Sequence, residues 1–314
     1  MEQIWQDREI RFDCSTNQIN LRRGELLIDS LQNIEDTKGN PDEPGTMKIT
    51  NLRIIWYCDT NPYINLSIGY GSIANHEVKV NYSGSSGNTQ SLVLRCRFNN
   101  SKFEFIFSSS YKDSQRLNST FQAVRRSYET TKMYRDLKMR GAIIQDRNLI
   151  LLPQEKIVNK YSNIWNLSAE QGNVGTFITT NIRVVWFHNT SENFNASIPY
   201  IQIKSVKKKE SKLGPALVIE TFPQSGETSG YIMGFQSENL DMLVQEVMKL
   251  HKLHAANPIF GVETMLEDKS PKIEDVTIKR LEEDVEIVEP EYNEKNNSVM
   301  NYMTSYGAKE VNYS

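Results

Sequence analysis

Hydrophobic and polar positions alternate with period two along much of the chain. Ile64, Leu66 and Ile68 are separated by Asn65 and Ser67, and Phe194, Ala196 and Ile198 by Asn195 and Ser197. Successive side chains of a strand point to opposite faces, so this pattern predicts strands with one core-facing side. "LRIIWY" (52–57) and "IRVVWF" (182–187) are instead unbroken runs of β-branched and aromatic residues, the composition of a well-buried strand. Each follows "GTMKIT" or "GTFITT" through Asn51 or Asn181. Asparagine tolerates left-handed backbone, so a strand, a tight Asn turn and a second strand are predicted. Helical spacing is seen in Leu117, Phe121, Val124 and Tyr128 behind candidate caps Ser109 or Ser110, and in Leu240, Leu243, Val247 and Leu250 behind Ser237. The first helix is predicted to continue through "YETTKMYRDLKMR" to about Arg140 and to couple two halves of the chain rigidly.

Those halves are copies. A constant shift of 130 superposes Gly45, Thr46, Thr50, Asn51, Arg53, Trp56, Thr60, Asn65, Ser67, Ile68, Tyr70 and Ile73 on identical residues at 175–203, 12 identities in 29 ungapped positions. Glu25 and Glu155 pair under the same shift, placing the start of each copy near residues 20 and 150. A period this long means a duplicated domain, since solenoid repeats run to 20–50 residues. About seven strands closed by one helix suggest a small bent sheet plugged at one end, the architecture of a pleckstrin-homology-like domain. The fold class expected is therefore mainly β with one C-terminal helix per domain. The expected divisions are 1–140, the first domain with an extended linker helix; 141–260, the second; and 261–314, an acidic tail.

Composition refines this reading. A chain of 314 residues can bury two cores. No apolar run approaches the roughly 20 residues of a membrane span, and the N-terminus lacks the apolar core of a secretory signal, so a cytosolic address is expected. Isolated Cys14, Cys58 and Cys96 are expected as unpaired core residues. Net charge is −3, yet residues 263–314 hold 13 acidic and 6 basic residues against 26 and 30 in the remainder. A mildly basic body suits an anionic surface but falls far short of a nucleic-acid binder. The acidic tail has poor periodicity and is expected to be disordered or to order only on a partner, although "VTIKRL" and "VEIVEP" could add an edge strand.

Catalytic signals are poor. There is no Walker loop, GxGxxG or nucleophile elbow, and "HKLH" pairs His251 with His254 without a third ligand. No catalytic residue, metal or cofactor is expected.

"RFDCS", "GELLIDSLQNIEDTKGN", "TNLRIIWY", "YETTKMYRDLK", "LLPQE", "NLSAEQGNVGTF", "FNASIPYIQI", "ALVIE" and "NPIFGVE" together resemble the Bardet–Biedl syndrome 5 protein family, over about residues 4–265 and in the family's order. The resemblance implies tandem pleckstrin-homology-like domains and a non-enzymatic subunit of the BBSome, the coat-like complex that carries membrane proteins to and from cilia. It implies phosphoinositide binding, and partners in other BBSome subunits and, through the complex, an Arf-like GTPase. It further implies residence in cytoplasm, basal body and cilium. The last fifty residues do not take part in it.

Candidate lipid contacts follow from charge. The densest cluster, "IQIKSVKKKESK", supplies Lys204, Lys207, Lys208, Lys209 and Lys212 where a strand is expected to give way to a loop. Its alternative is a solvated strand end. Arg53 and Arg183, at one repeat position just after the Asn turn, are the second candidate; their alternative is a structural pair with a carboxylate. Trp56 and Trp186 are expected in the core. Arg125, Arg126, Lys132, Arg135, Lys138 and Arg140 form a basic stretch on the expected linker helix, a second anionic contact or a solvated face.

Overall fold

The computed structural model describes residues 7–83, 87–109, 111–168, 173–223 and 229–263. The expected cap Ser110 and all of the acidic tail beyond Glu263 lie outside these residues.

The first domain comprises β1 (Ile10–Phe12), α1 (Thr16–Ile19), β2 (Leu27–Asp36), β3 (Asn40–Thr50), β4 (Arg53–Cys58), β5 (Asn65–Gly69), β6 (Ile73–Ser83), β7 (Gly87–Phe98), β8 (Ser101–Ser108) and α2 (Tyr111–Thr130). The second comprises β9 (Lys138–Met139), the hairpin β10 (Ile144–Gln145) and β11 (Asn148–Leu149), then β12 (Ile157–Asn166), β13 (Asn173–Thr180), β14 (Arg183–His188), β15 (Ser191–Pro199), β16 (Ile203–Ser211), β17 (Gly214–Thr221), β18 (Ile232–Gln236) and α3 (Leu240–Ala256). The two antiparallel sheets have the same order, β1-β5-β4-β3-β2-β8-β7-β6 and β9-β15-β14-β13-β12-β18-β17-β16. The duplication thus begins earlier than Glu25 and Glu155 indicate. β1 and β9 cap equivalent edges, pairing Arg11 with Ser67 and Lys138 with Ser197; Ile10 of β1 and Leu137, just before β9, enter the two cores. Neither strand was visible as a repeat, because three and two residues carry no readable period.

Each sheet curls around an apolar core closed by its helix. In the first, Met47, Trp56, Ile68, Leu94, Phe105 and Phe107 meet Leu117, Phe121 and Val124; in the second, Phe177, Trp186, Ile198, Leu217 and Phe235 meet Leu240, Leu243 and Val247. Both tryptophans are core residues, as expected, and donate Nε1–H to the carbonyls of Ile34 (2.8 Å) and Ile164 (3.0 Å). The repeated glycine is their complement. A Cβ on Gly45 would lie 2.5 Å from the Trp56 indole, and one on Gly175 would lie 2.6 Å from that of Trp186 and strike the Phe187 carbonyl. "GT…W" is therefore a packing unit in which the indole occupies the missing side chain's space.

Four local expectations are corrected. Asn51 and Asn181 do not adopt left-handed backbone. They act through their side chains: Asn51 accepts from Leu26 N (2.9 Å) and donates to Gly24 O (3.1 Å), and Asn181 accepts from Lys156 N (2.7 Å) and donates to Gln154 O (3.1 Å). The paired segments Asn65–Gly69 and Asn195–Pro199 are not half-exposed but buried on both faces: Ser67 and Ser197 accept from Arg53 and Arg183, and Asn65 and Asn195 bond the Cys14 and Gly141 backbone. Helix α2 stops at Thr130, ten residues short of Arg140. The hydroxyls of Thr130 and Thr131 bond back to the carbonyls of Arg126 (3.0 Å) and Ser127 (2.7 Å), competing with continuation of the helical ladder. The second cap also differs: α3 begins after Asn239, with Ser237 Oγ accepting the Asn239 N–H (3.2 Å).

Coupling between the domains comes from a joint rather than a continuous helix. Buried Arg135 lies over the Tyr128 ring (4.1 Å to the centroid) and donates to Phe260 O (2.6 Å) and Tyr128 O. Its own carbonyl accepts from Gln202 Nε2 (2.5 Å) in the second domain. Residues 257–263 return across the joint: Val262 enters the first core, Glu263 O accepts from Ser127 Oγ (2.9 Å), and Gly261, at φ +74°, lies flat on the Tyr134 ring. Arg8 pairs with Asp136 (2.9 Å) and donates to Pro223 O (3.4 Å). Residues 261–263, expected in the tail, thus belong to the folded body.

Candidate functional site

The five lysines of "IKSVKKKESK" sit on β16 and its turn, not on a loop beyond a strand. β16 is the last strand of its sheet: it pairs with β17 on one side, through Lys207↔Val218, Lys208↔Leu217 and Lys209↔Ala216, and has no strand on the other among the described residues. Only Ile203 and Val206 of β16 are buried. Strand alternation then divides the lysines. Lys208 lies on the side of Val206 and reaches Asp241 in the first turn of α3 (2.6 Å). Lys207 and Lys209 project from the opposite face, and Lys212 stands in the hairpin turn beside Leu213, which is 58% exposed. Lys204 pairs with Glu220 (2.8 Å), whose pKa is lowered by the hydrogen bonds from Lys204 and Ser205 and by the nearby Lys207 charge. Three of the five, Lys207, Lys209 and Lys212, make no ion pair among the described residues.

The equivalent edge in the first domain is different. β6 carries one lysine, Lys79, paired with Glu77 (3.0 Å), and exposes Val78 and Val80. Charged residues on a free edge guard against strand-to-strand association. A single paired lysine suffices for that on β6, so the surplus on β16 is a property of the second domain alone.

Arg53 and Arg183 are corrected as lipid contacts. They are 1% and 0% exposed. Arg53 holds Glu25 through Nε (2.8 Å) and Nη2 (3.1 Å), and Arg183 holds Glu155 in the same bidentate way (2.7 and 2.9 Å). The three remaining guanidinium hydrogens of Arg53 go to Ser67 Oγ, Gln18 O and Asn20 O, and two of the three in Arg183 go to Ser197 Oγ and Ile150 O. Arg53 thus has no donor left for a phosphate, and Arg183, wholly buried around its carboxylate, has no surface open to one. Around each pair the Thr50 and Thr180 hydroxyls accept the backbone N–H groups of Leu52 and Arg53 or Ile182 and Arg183, while the buried Tyr70 and Tyr200 hydroxyls donate to the Thr50 and Thr180 carbonyls. Four of the twelve identities repeated at a spacing of 130, Thr50, Arg53, Ser67 and Tyr70 in the first copy, thus belong to one buried polar node, copied twice. Sequence reasoning paired Glu25 with Glu155 but assigned them no partner.

The basic stretch on the expected linker helix does not form a face. Arg125 donates to the Tyr70 (2.7 Å) and Ile73 (3.0 Å) carbonyls and pairs with Glu129; Lys132 also pairs with Glu129; Arg135 is buried in the joint; Lys138 lies on β9; and Arg140 lies over the Phe194 ring. Only Arg126 remains exposed on the helix without an ion pair among the described residues. Of the paired histidines, His254 is buried beside the Tyr200 ring (5.8 Å), and burial lowers its pKa to about 4. No group of three His, Cys, Asp or Glu side chains among the described residues could hold a metal ion. No described helix is long and apolar enough to cross a membrane.

Sequence reasoning missed the exposed apolar residues. Leu21, Leu26 and Leu27 in the first domain and Leu151, Ile157 and Val158 in the second lie beside the two Arg–Glu nodes and are each 45–60% exposed. Their signal was present in "GELL" and "QEKIV", but period-two reading assigns such residues to a core face.

Two family models match the chain, the Bardet-Biedl syndrome 5 protein N-terminal PH-like domain over residues 25–130 and the second PH-like domain over residues 138–264. The chain is 48% identical over 295 residues to the BBSome complex member BBS5 of Danio rerio, covering 93% of this chain and 85% of that protein. It is 46% identical over 290 residues to the same protein of Homo sapiens, with 91% and 84% covered, and 43% identical over 303 residues to BBSome complex member bbs-5 of Caenorhabditis elegans, with 91% and 83% covered. With both pleckstrin-homology-like domains matched in order and nearly half of all residues shared, the chain belongs to the Bardet–Biedl syndrome 5 protein family.

Proposed function

We propose that this chain is a non-enzymatic subunit of the BBSome that contacts phosphoinositide-bearing membrane through the second domain and so supports traffic of membrane proteins to and from cilia. Membership of the complex follows the names of the relatives. The observation that carries the lipid reading is the free edge of β16, where Lys207, Lys209 and Lys212 are exposed without ion-pair partners among the described residues and Leu213 stands at the hairpin tip. Near an anionic leaflet each such lysine contributes about 1 kcal/mol, so three give roughly 3 kcal/mol. That corresponds to a dissociation constant of about 6 mM. Binding by this edge alone is weak and salt-sensitive, and becomes useful through the avidity of an assembly holding other membrane contacts. Other BBSome subunits and, through them, an Arf-like GTPase would supply that assembly. The place of action is the cytoplasm, basal body and ciliary membrane surface.

Co-sedimentation with liposomes carrying each phosphoinositide, at low and physiological salt, tests this reading. Wild type should bind in a salt-dependent manner, and Lys207→Ala/Lys209→Ala/Lys212→Ala should lose most of that binding. Equal binding by both proteins would exclude the β16 edge.

A second reading has its own observation. The exposed Leu21, Leu26 and Leu27, and Leu151, Ile157 and Val158, form apolar surface at one position of both copies. Apolar groups clustered at the surface of a complex member suit neighbouring subunits. On that reading the domains are protein scaffolds, and liposome binding would be absent at every salt concentration.

A further inference from the structure

Among the described residues the β16 edge presents two features together, a row of backbone groups without a neighbouring strand and three lysines, Lys207, Lys209 and Lys212, without an ion pair. A ligand that satisfies both is an extended acidic peptide, which adds main-chain hydrogen bonds along the edge and carboxylates against the lysines. A headgroup satisfies only the second.

One such peptide belongs to this chain. Residues 281–291, "LEEDVEIVEPE", hold six acidic residues and no basic one. Val285, Ile287 and Val288 give the segment the β-branched character of a strand, and Pro290 would end pairing. The described chain finishes at Glu263, anchored by Ser127 and Gln154. The 17 residues between Glu263 and Leu281 reach about 55 Å when extended, more than the width of roughly 35 Å of a domain this size. Glu263 lies at the joint, held from both domains, so the edge of the second domain is within reach.

We propose that residues 281–291 dock along the free edge of β16 in the same molecule, neutralise Lys207, Lys209 and Lys212, and hold the second domain off anionic membrane until an assembly partner or a membrane competes them away. The regulatory half of this proposal rests on the phosphoinositide reading above; the docking half does not. Charge complementarity selects β16 over β6, whose exposed Val78 and Val80 and paired Lys79 give an acidic strand nothing to meet. Glu210, on the edge itself, favours a register that sets the acidic run against residues 207–209 and the turn rather than against residue 210.

The test compares full-length wild type with a full-length Glu282→Gln/Glu283→Gln/Asp284→Asn/Glu286→Gln/Glu289→Gln variant. Hydrogen exchange is read at the β16 amides that point away from β17, and the two proteins are assayed on liposomes of phosphatidylcholine with 5% phosphatidylinositol bisphosphate. The outward amides should exchange about tenfold more slowly in wild type than in the variant, independently of protein concentration. The variant should bind liposomes several-fold more tightly. Equally fast exchange in both proteins overturns the docking, as does protection retained by the variant or growing with concentration, which would assign the edge to another segment or a second copy. Slow exchange lost in the variant, with no liposome binding by either protein, upholds the docking and rejects the phosphoinositide reading. Fast exchange in both with liposome binding by wild type does the reverse.

Discussion

Neutralising one member of the Glu155–Arg183 pair should unfold the second domain well before it changes any surface. Both side chains are fully buried. Glu155 holds Nε and Nη2 of Arg183 at 2.7 and 2.9 Å and accepts the Leu152 N–H at 2.8 Å, and Arg183 also donates to Ser197 Oγ (3.1 Å) and Ile150 O (3.0 Å). In Glu155→Gln the arginine keeps its charge in the same dry site and loses the only carboxylate bonded to it among the described residues. Removing one partner of a buried ion pair costs about 3–5 kcal/mol, because the survivor is left uncompensated. For a domain of this size each kcal/mol lowers the melting temperature by roughly 4 °C, so a drop of about 12–20 °C is expected by differential scanning calorimetry. Arg183→Met should cost a similar amount. The double variant Glu155→Leu/Arg183→Met removes both charges and should be more stable than either single variant, since charge isolation, not loss of attraction, dominates the single-variant cost. Additive losses in the double variant, or a single-variant drop of only a few degrees, would refute this account. Arg183→Lys sharpens the distinction from a lipid role: it should lower the melting temperature while leaving liposome binding of the folded protein unchanged.

The other expectations concern separate parts of the molecule. Asp7 is fully buried beside Tyr128, whose hydroxyl donates to it (2.5 Å), and burial raises its pKa from 3.8 to about 7. The folded state therefore holds a proton that the unfolded state releases above about pH 4, and this contribution to stability, complete below pH 4, is lost as pH rises through 7. Wild type should lose melting temperature between pH 5 and 8 relative to Asp7→Asn, measured by circular dichroism across that range. Gly175→Ala should destabilise by several kcal/mol, since its Cβ strikes Trp186 and the Phe187 carbonyl; chemical denaturation would report it. Gly261→Ala meets the Tyr134 ring from a left-handed backbone and should loosen the strap across the joint, seen as faster limited proteolysis between the domains.

The sequence by itself determined the duplication, the strand-rich class and one closing helix per copy. The spacing of 130 and the periods of 2 and 3.6 are local quantities that need no knowledge of what lies across the sheet. It also placed Trp56 and Trp186 in the core, because an aromatic in a β-branched run has few other places to go. The roles of the repeated polar residues were decided by tertiary structure. Arg53 read equally as a ligand contact or an ion-pair member, and only the fold, which brings Glu25 across 28 residues to its guanidinium, separates the two. The same holds for Asn51, whose partners Gly24 and Leu26 lie in the turn that leads into β2. Likewise β1 and β9 are too short to show a period and exist as strands because β5 and β15 offer them edges. The lysines of β16 were legible as a cluster, but that their strand is an edge, and that Lys204 and Lys208 are already matched by Glu220 and Asp241, depends on which strands and helix turns fold beside them. Side-chain period is set by neighbours one to four residues away, whereas hydrogen-bond and charge partners are set by chain crossings tens of residues apart; the first is written in the sequence, and the second appears only once the sheet has closed.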